Sequence, residues 1–163
     1  MIKNGDVIGF EGYTFGSYII RLFTHSNVTH VGVALWVCGR LCVIEAKEGK
    51  GVRVFPLDRI DVPFKVYPIV QKNIDGQKVV DFCLTHWGAE YTNWYQFLII
   101  GSRIIKYIRR KMGKSPDLNP IRWFCSELIA RAFESAGYID SKHSSLTTPI
   151  DICNYRCLGP GKR

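Results

Sequence analysis

Between residues 28 and 70 the chain passes through a succession of short apolar runs: Val28–Val37, Leu41–Ala46, Val52–Leu57 and Phe64–Val70. Each is rich in β-branched or aromatic residues and is bounded by Gly, Pro, Asp or Lys, the punctuation of strands and turns. The connections are too short for crossover helices, so neighbouring runs must pair antiparallel. With Asp6–Phe10 as one more short strand ahead of them, the pattern predicts an antiparallel meander of about four or five strands. Ser17–Phe23, between the first two strands, reads as a short apolar helix.

The second half changes period. Gln77–Trp87 carries Val79, Val80, Phe82, Cys83 and Leu84 and meets Gly88, which predicts a helix with a glycine stop. Residues Arg122–Ala136 place Phe124, Leu128, Ile129, Ala132 and Phe133 on one stripe, again with a glycine, Gly137, just beyond. Thr147-Thr148-Pro149 starts a short final helix, with proline directly after a threonine cap. Strands lead and helices follow, so the class is α+β. The chain has 163 residues, 47% of them hydrophobic, which suffices for one core and not for two, so residues 1–163 are expected to form one domain.

A formal charge of +8 favours anionic partners such as cell-wall polymers, anionic lipid or nucleic acid, without choosing among them. Six of the 22 basic residues fall between Arg103 and Lys114. On a helical wheel Phe97, Ile100, Ile104, Ile105 and Ile108 share one side, with Arg103, Lys106 and Arg110 on the other. Residues 97–111 therefore offer an anionic-membrane contact or a lid, against the plain alternative of a surface helix with a solvated face. Lys111–Pro116 reads as a loop. Met1–Asp6 lacks the basic head and apolar stretch of a signal peptide, and the run Trp94–Ile100 is too short to span a bilayer, so a cytoplasmic protein is expected.

Without a secretion signal, the six cysteines are expected to be reduced. Cys38/Cys42 and Cys153/Cys157 form two C-x3-C pairs whose thiolates could hold zinc. Buried cysteine also serves as a small hydrophobe, and no metal or other cofactor is assigned.

The chemistry rests on residues far apart in sequence. Cys125 stands at the expected start of a helix, where free N–H groups and the macrodipole favour a thiolate. His30, in the strand-like run Thr29–Val33, is the candidate base, and its second ring nitrogen needs an acceptor. Glu45 fits that need: a hairpin about Cys38-Gly39-Arg40 sets positions 30 and 45 almost opposite one another, and a carboxylate inside Val43-Ile44-Glu45-Ala46 is expensive to bury without a partner. Each residue also has an ordinary reading, as core packing or a solvated strand end. His25, near a turn, His86, at a helix end, and His143, in a serine-rich loop, are weaker candidates.

In order along the chain, Gly5-Asp6-Val7-Ile8, Thr29-His30-Val31-Gly32-Val33, Val43-Ile44-Glu45-Ala46, Gly51-Val52-Arg53-Val54, Cys125-Ser126-Glu127-Leu128-Ile129 and Thr148-Pro149 resemble the circularly permuted NlpC-like branch of the papain-like cysteine hydrolases. In that branch the histidine strand precedes the cysteine helix. The resemblance implies an antiparallel sheet packed against helices with the nucleophile at a helix N-terminus. It implies Cys125 as nucleophile, His30 as general base and then acid, and Glu45 as the residue orienting His30. Trp87-Gly88-Ala89-Glu90-Tyr91 is similar to the family's Gly-x-x-Tyr segment, which implies Tyr91 beside the cysteine as a substrate or oxyanion donor. Where many members carry an acidic residue next, this chain has Thr92-Asn93. The implied reaction is acyl transfer through a thioester, on a peptide, cell-wall or lipid substrate, with nucleic acid disfavoured as a partner. The competing expectation is a non-catalytic binding module that uses its basic surface for membrane or nucleic acid.

Overall fold

The structure is a computed structural model that describes residues 1–12, 15–91, 122–139, 144 and 147–162. Its strands are β1 (Val7–Phe10), β2 (His30–Val37), β3 (Arg40–Lys47), β4 (Gly51–Pro56), β5 (Phe64–Tyr67), β6 (Glu90–Tyr91) and β7 (Arg122–Trp123). Its helices are α1 (Phe15–Thr24), α2 (Gly76–Thr85), α3 (Cys125–Ser135) and α4 (Pro149–Cys153), with a short 3-10 turn at Leu57–Arg59.

β1 to β5 form one antiparallel sheet in the order β4-β3-β2-β1-β5. The expected meander holds for β2, β3 and β4. It fails for β5, which crosses to the far side and pairs with β1, leaving β1 buried along its whole length inside the sheet. The outer side of β5 is covered by the C-terminal segment, through bridges Val66–Lys162 and Ile69–Leu158, which shields an otherwise open edge. Asp6, just ahead of β1, is buried, and its carboxylate accepts the N–H groups of Lys3 at 2.8 Å and Ile69 at 2.9 Å. It thereby pins the start of one strand to the end of another.

Both faces of the sheet are apolar. On one face Val7, Val31, Val33, Ile44, Ala46 and Val52 pack with α2, α3 and α4 around Phe133, Leu128, Ile129 and Ile152. On the other, Ile8, Phe10, Ala34, Val43 and Leu57 form a smaller cluster. The side-chain alternation of β-strands separates the two sets.

The helix carrying Cys125 is shorter than expected. Residues Arg122–Trp123 pair in parallel with Glu90–Tyr91 as a short second ladder, and Phe124 is extended (φ −84°, ψ 152°) as the N-cap. The first helical residue is therefore Cys125. α3 is also less amphipathic than its stripe suggests, since Ser126, Glu127 and Ala130 are buried as well. The polar ones have partners: Ser126 Oγ donates to the Thr147 carbonyl at 2.7 Å, and Glu127 pairs with Arg131 one turn on at 3.1 Å. α2 ends at Thr85, with Gly88 (φ +83°) in the turn beyond rather than at the helix stop itself. Thr148 caps α4 as expected, in a reciprocal capping box with Asp151. No helix among the described residues is long and apolar enough to cross a membrane.

Candidate active site

β2 and β3 are joined by a two-residue turn in which both Cys38 (φ +48°) and Gly39 (φ +78°) are left-handed, the geometry that matches the twist of a hairpin. This fixes the register at Val37–Arg40 and carries it to Val33–Ile44. Continued, that register puts Gly32 across from Glu45, so His30 is diagonal to Glu45 on the same face rather than opposite it, a correction of two residues. The space between them is the missing side chain of Gly32. A Cβ there would overlap Val43 Cγ2 and lie 2.8 Å from the Ile44 carbonyl oxygen and 3.4 Å from Glu45 Cβ. With that position empty, Glu45 leans across and meets His30, with Oε2 at 2.7 Å from Nε2.

The start of β2 is locally irregular. Phe10 pairs with His30, yet the Phe10 carbonyl also receives the Thr29 N–H at 2.9 Å. Two residues against one is the pattern of a β-bulge, which re-aims side chains. The His30 ring lies 5.6 Å from the Phe10 ring, and its side chain remains 19% exposed. Because the β2–β3 ladder stops at Val33, the Val31 N–H serves another partner, the sulfur of Cys125. The tip of α3 thus abuts the opening of β2.

Cys125 is 4% exposed. Its sulfur is hydrogen-bonded to the His30 ring and to the backbone N–H groups of Val31 and Ser126. With Nε2 occupied by Glu45, Nδ1 is the ring nitrogen left for the thiol. Burial alone would push the thiol's pKa up, but the imidazolium and these hydrogen bonds reverse the effect and lower it. Burial likewise opposes the imidazolium, yet Cys125 and then Glu45 outweigh it and push His30 up to about 9. Opposite shifts on the two partners favour one state, in which the proton resides on nitrogen and sulfur is a thiolate. Three other buried thiols behave differently: burial pushes Cys83 and Cys153 up to about 12 and Cys157 to about 11.

Glu45 is 1% exposed. Burial would raise its pKa, but His30, Arg53 and Lys47 together bring it down to about 2. Arg53 lies directly across from Glu45 on β4, and its Nε and Nη2 approach Oε1 at 3.0 and 2.6 Å. Nothing in the motif Gly51-Val52-Arg53-Val54 by itself marks Arg53 as the partner of Glu45. The available signal was a cation in the apolar run Val52–Phe55, one strand away from a carboxylate in need of a partner.

Tyr91 reaches the same neighbourhood by a separate route. After α2 the chain returns to the edge of β4, where Val52 receives the Gly88 N–H at 2.9 Å and donates to the Ala89 carbonyl at 2.8 Å. β6 then pairs Tyr91 with Trp123, and the Tyr91 ring meets Phe124 edge-on at 6.0 Å. The phenol is held protonated, first by burial and then by the charges of Cys125 and Glu48. All four candidates, Cys125, His30, Glu45 and Tyr91, therefore come together.

His86 and His25 do not join them. His86 is packed between Phe82 and Trp123, at 4.7 and 4.6 Å between ring centroids, and His25 occupies a left-handed position after α1. Residues 97–111, Lys111–Pro116, Thr92-Asn93 and His143 lie outside the described residues. Cys38 is exposed at its turn while Cys42, Cys153 and Cys157 are buried, and among the described residues no three His, Cys, Asp or Glu side chains are arranged to hold a metal ion.

No family model matches the sequence, and no curated protein does. Among solved structures, the crystal structure of the metalloprotein yiiX from Escherichia coli O157:H7, a DUF1105 protein, superposes with a TM-score of 0.69. The match covers 99% of this chain and 97% of that chain at 17% identity. At that identity the likeness is one of fold: an α+β chain whose antiparallel sheet is packed against helices.

Proposed function

We propose that this protein is a cysteine hydrolase of the permuted NlpC-like, papain-fold kind, cleaving an amide or ester bond through a thioester. The observation that carries the reading is the His30 ring held between a helix-tip sulfur on one nitrogen and a buried carboxylate, 2.7 Å away, on the other. That is the nucleophile, base and orienting group of a thiol hydrolase.

In the resting state Cys125 is a thiolate and His30 an imidazolium. Sulfur attacks the acyl carbon, and the carbonyl electron pair moves onto oxygen. The Cys125 backbone N–H at the helix N-terminus is one donor for that oxyanion, and the protonated Tyr91 hydroxyl is the candidate second. As the tetrahedral intermediate collapses, His30 gives its Nδ1 proton to the departing amine or alcohol. The neutral imidazole then takes a proton from water, hydroxide adds to the thioester, and loss of the acid restores the thiolate and the imidazolium. Glu45 remains ionised throughout and holds Nε2–H. Peptide amides of cell-wall type and lipid esters are the substrate classes this chemistry admits.

The test is alkylation by iodoacetamide in a Cys38→Ser background, which removes the exposed competing thiol. Cys125 is expected to react near neutral pH roughly ten-fold or more faster than the remaining cysteines, an advantage lost in His30→Ala, because the thiolate is the nucleophile. Hydrolysis of cell-wall peptides or phospholipid esters by wild type and not by Cys125→Ser would then name the substrate. A Cys125 no faster than Cys83, Cys153 and Cys157 refutes the reading and leaves a binding module.

A further inference from the structure

Glu45 presents two oxygens of equal basicity, and a carboxylate free to rotate would offer either one to His30. Here they are divided. Both Arg53 contacts, from Nε and Nη2, fall on Oε1, while His30 Nε2 has Oε2 to itself. Arg53 is in turn held in place: it is set across from Glu45 by the β3–β4 register, its guanidinium carbon sits 4.3 Å above the Phe55 ring, and its side chain is only 24% exposed. Phe55 itself packs on the apolar cluster of that face. A planar fork with a fixed plane orients a carboxylate in a way that a flexible ammonium group does not.

We propose that Arg53 is a positioning residue of this site: by occupying Oε1 it presents Oε2 to His30 Nε2–H, fixing the ring tautomer that leaves Nδ1 facing Cys125. The inference rests on the thiol-hydrolase reading above and adds to it a third strand, β4, as part of the machinery. Arg53 acts through Glu45 and needs no contact with substrate. The charged and titratable groups bearing on the carboxylate are His30 from β2, Lys47 from β3 and Arg53 from β4. His30 bears on the carboxylate most strongly; Lys47 is exposed and its charge is screened by solvent, so beyond His30 it is Arg53 that holds the carboxylate. Cys125 bears on His30 from α3, and Cys125 and Glu48 bear on the Tyr91 phenol. Apart from Arg53 and Glu45 themselves, none of these is altered in the variants that follow.

The experiment measures the rate of Cys125 alkylation against pH, in the Cys38→Ser background, for wild type, Arg53→Lys, Arg53→Met, Glu45→Gln and the double variant Glu45→Gln/Arg53→Met. Thermal melts check that each is folded. Without Arg53 the carboxylate protonates more readily and lets go of the imidazolium. Arg53→Met is therefore expected to move the acid-side midpoint of alkylation up by about one pH unit, roughly a ten-fold loss of rate below the wild-type midpoint. Arg53→Lys, which keeps the charge without the fork, should shift it by less. In the Glu45→Gln background, Arg53→Met should change nothing further, because the two residues act as one unit. Should Arg53→Met fail to fold, Arg53→Lys and the double variant, which buries neither charge, decide the matter.

The two readings fail separately. A wild-type Cys125 without privileged reactivity overturns the hydrolase assignment. A privileged Cys125 whose profile is the same in Arg53→Met and Arg53→Lys as in wild type overturns only the role of Arg53, as does an Arg53→Met shift that persists undiminished in the Glu45→Gln background.

Discussion

Replacing Glu45 with glutamine removes one charge from a carboxylate that is 1% exposed and held by His30 at 2.7 Å and by Arg53 at 2.6 and 3.0 Å. In the folded protein these partners bring its pKa from an ordinary 4.5 to about 2. By linkage that difference is worth about 3 kcal/mol of stability at neutral pH. The sign follows from the direction of the shift. A group whose folded pKa is depressed contributes fully above its unfolded value, near 4.5, and its contribution drains away as pH falls towards 2. Wild type should therefore exceed Glu45→Gln by about 3 kcal/mol at pH 6, a size in keeping with breaking one partner out of a buried ion pair. By pH 3 the gap should shrink to less than half, since protonated glutamate and glutamine are nearly isosteric. Urea unfolding monitored by fluorescence, extrapolated to water at intervals between pH 6 and pH 3, measures the gap directly. Stability curves that run parallel over that range would refute the claim that Glu45 is ionised and clamped in the native state.

Two further perturbations probe the scaffold. Gly32→Ala places a methyl group against Val43 Cγ2 and 2.8 Å from the Ile44 carbonyl oxygen, in the gap Glu45 crosses to reach His30. Overpacking of this kind costs about 1–3 kcal/mol, and the variant should also lose much of the rapid alkylation of Cys125 even at temperatures where its melt shows it folded. Thr148→Ala breaks the capping box of α4 and should cost about 1 kcal/mol, read as a lower melting temperature with the alkylation profile of Cys125 unchanged.

The punctuation of short β-branched and aromatic runs by Gly, Pro, Asp or Lys is enough to locate strands around Val7, Val31, Val43, Val52 and Val66, because a strand buried on both faces reads as a continuous apolar run. It did not reveal that β5 returns to pair with β1, since pairing partners are chosen by the twist and closure of the whole sheet and leave no local signature. The apolar stripe likewise reaches back to Arg122, ahead of the true start of α3 at Cys125, for a related reason. Trp123 and Phe124 are as apolar as the helix that follows, and only their pairing with Tyr91 and the extended backbone of Phe124 separate them from it. Glu45 was legible as a carboxylate requiring a partner. Arg53, the other partner it found, was not, because a cation in a strand is ordinarily a solvated one.

What the sequence alone settles is the inventory: a cysteine at a helix start, a histidine in a strand, a carboxylate in an apolar run, and the α+β order that holds them. Tertiary structure decides whether that inventory becomes a site. The left-handed turn at Cys38-Gly39 sets the register, the bare Cα of Gly32 lets Glu45 lean across it, the ladder that stops at Val33 frees the Val31 N–H for Cys125, and β4 delivers Arg53. Hydrogen bonds and ion pairs act over a few ångströms, and residues 30, 45, 53, 91 and 125 come within that range only when the strands and helices have packed.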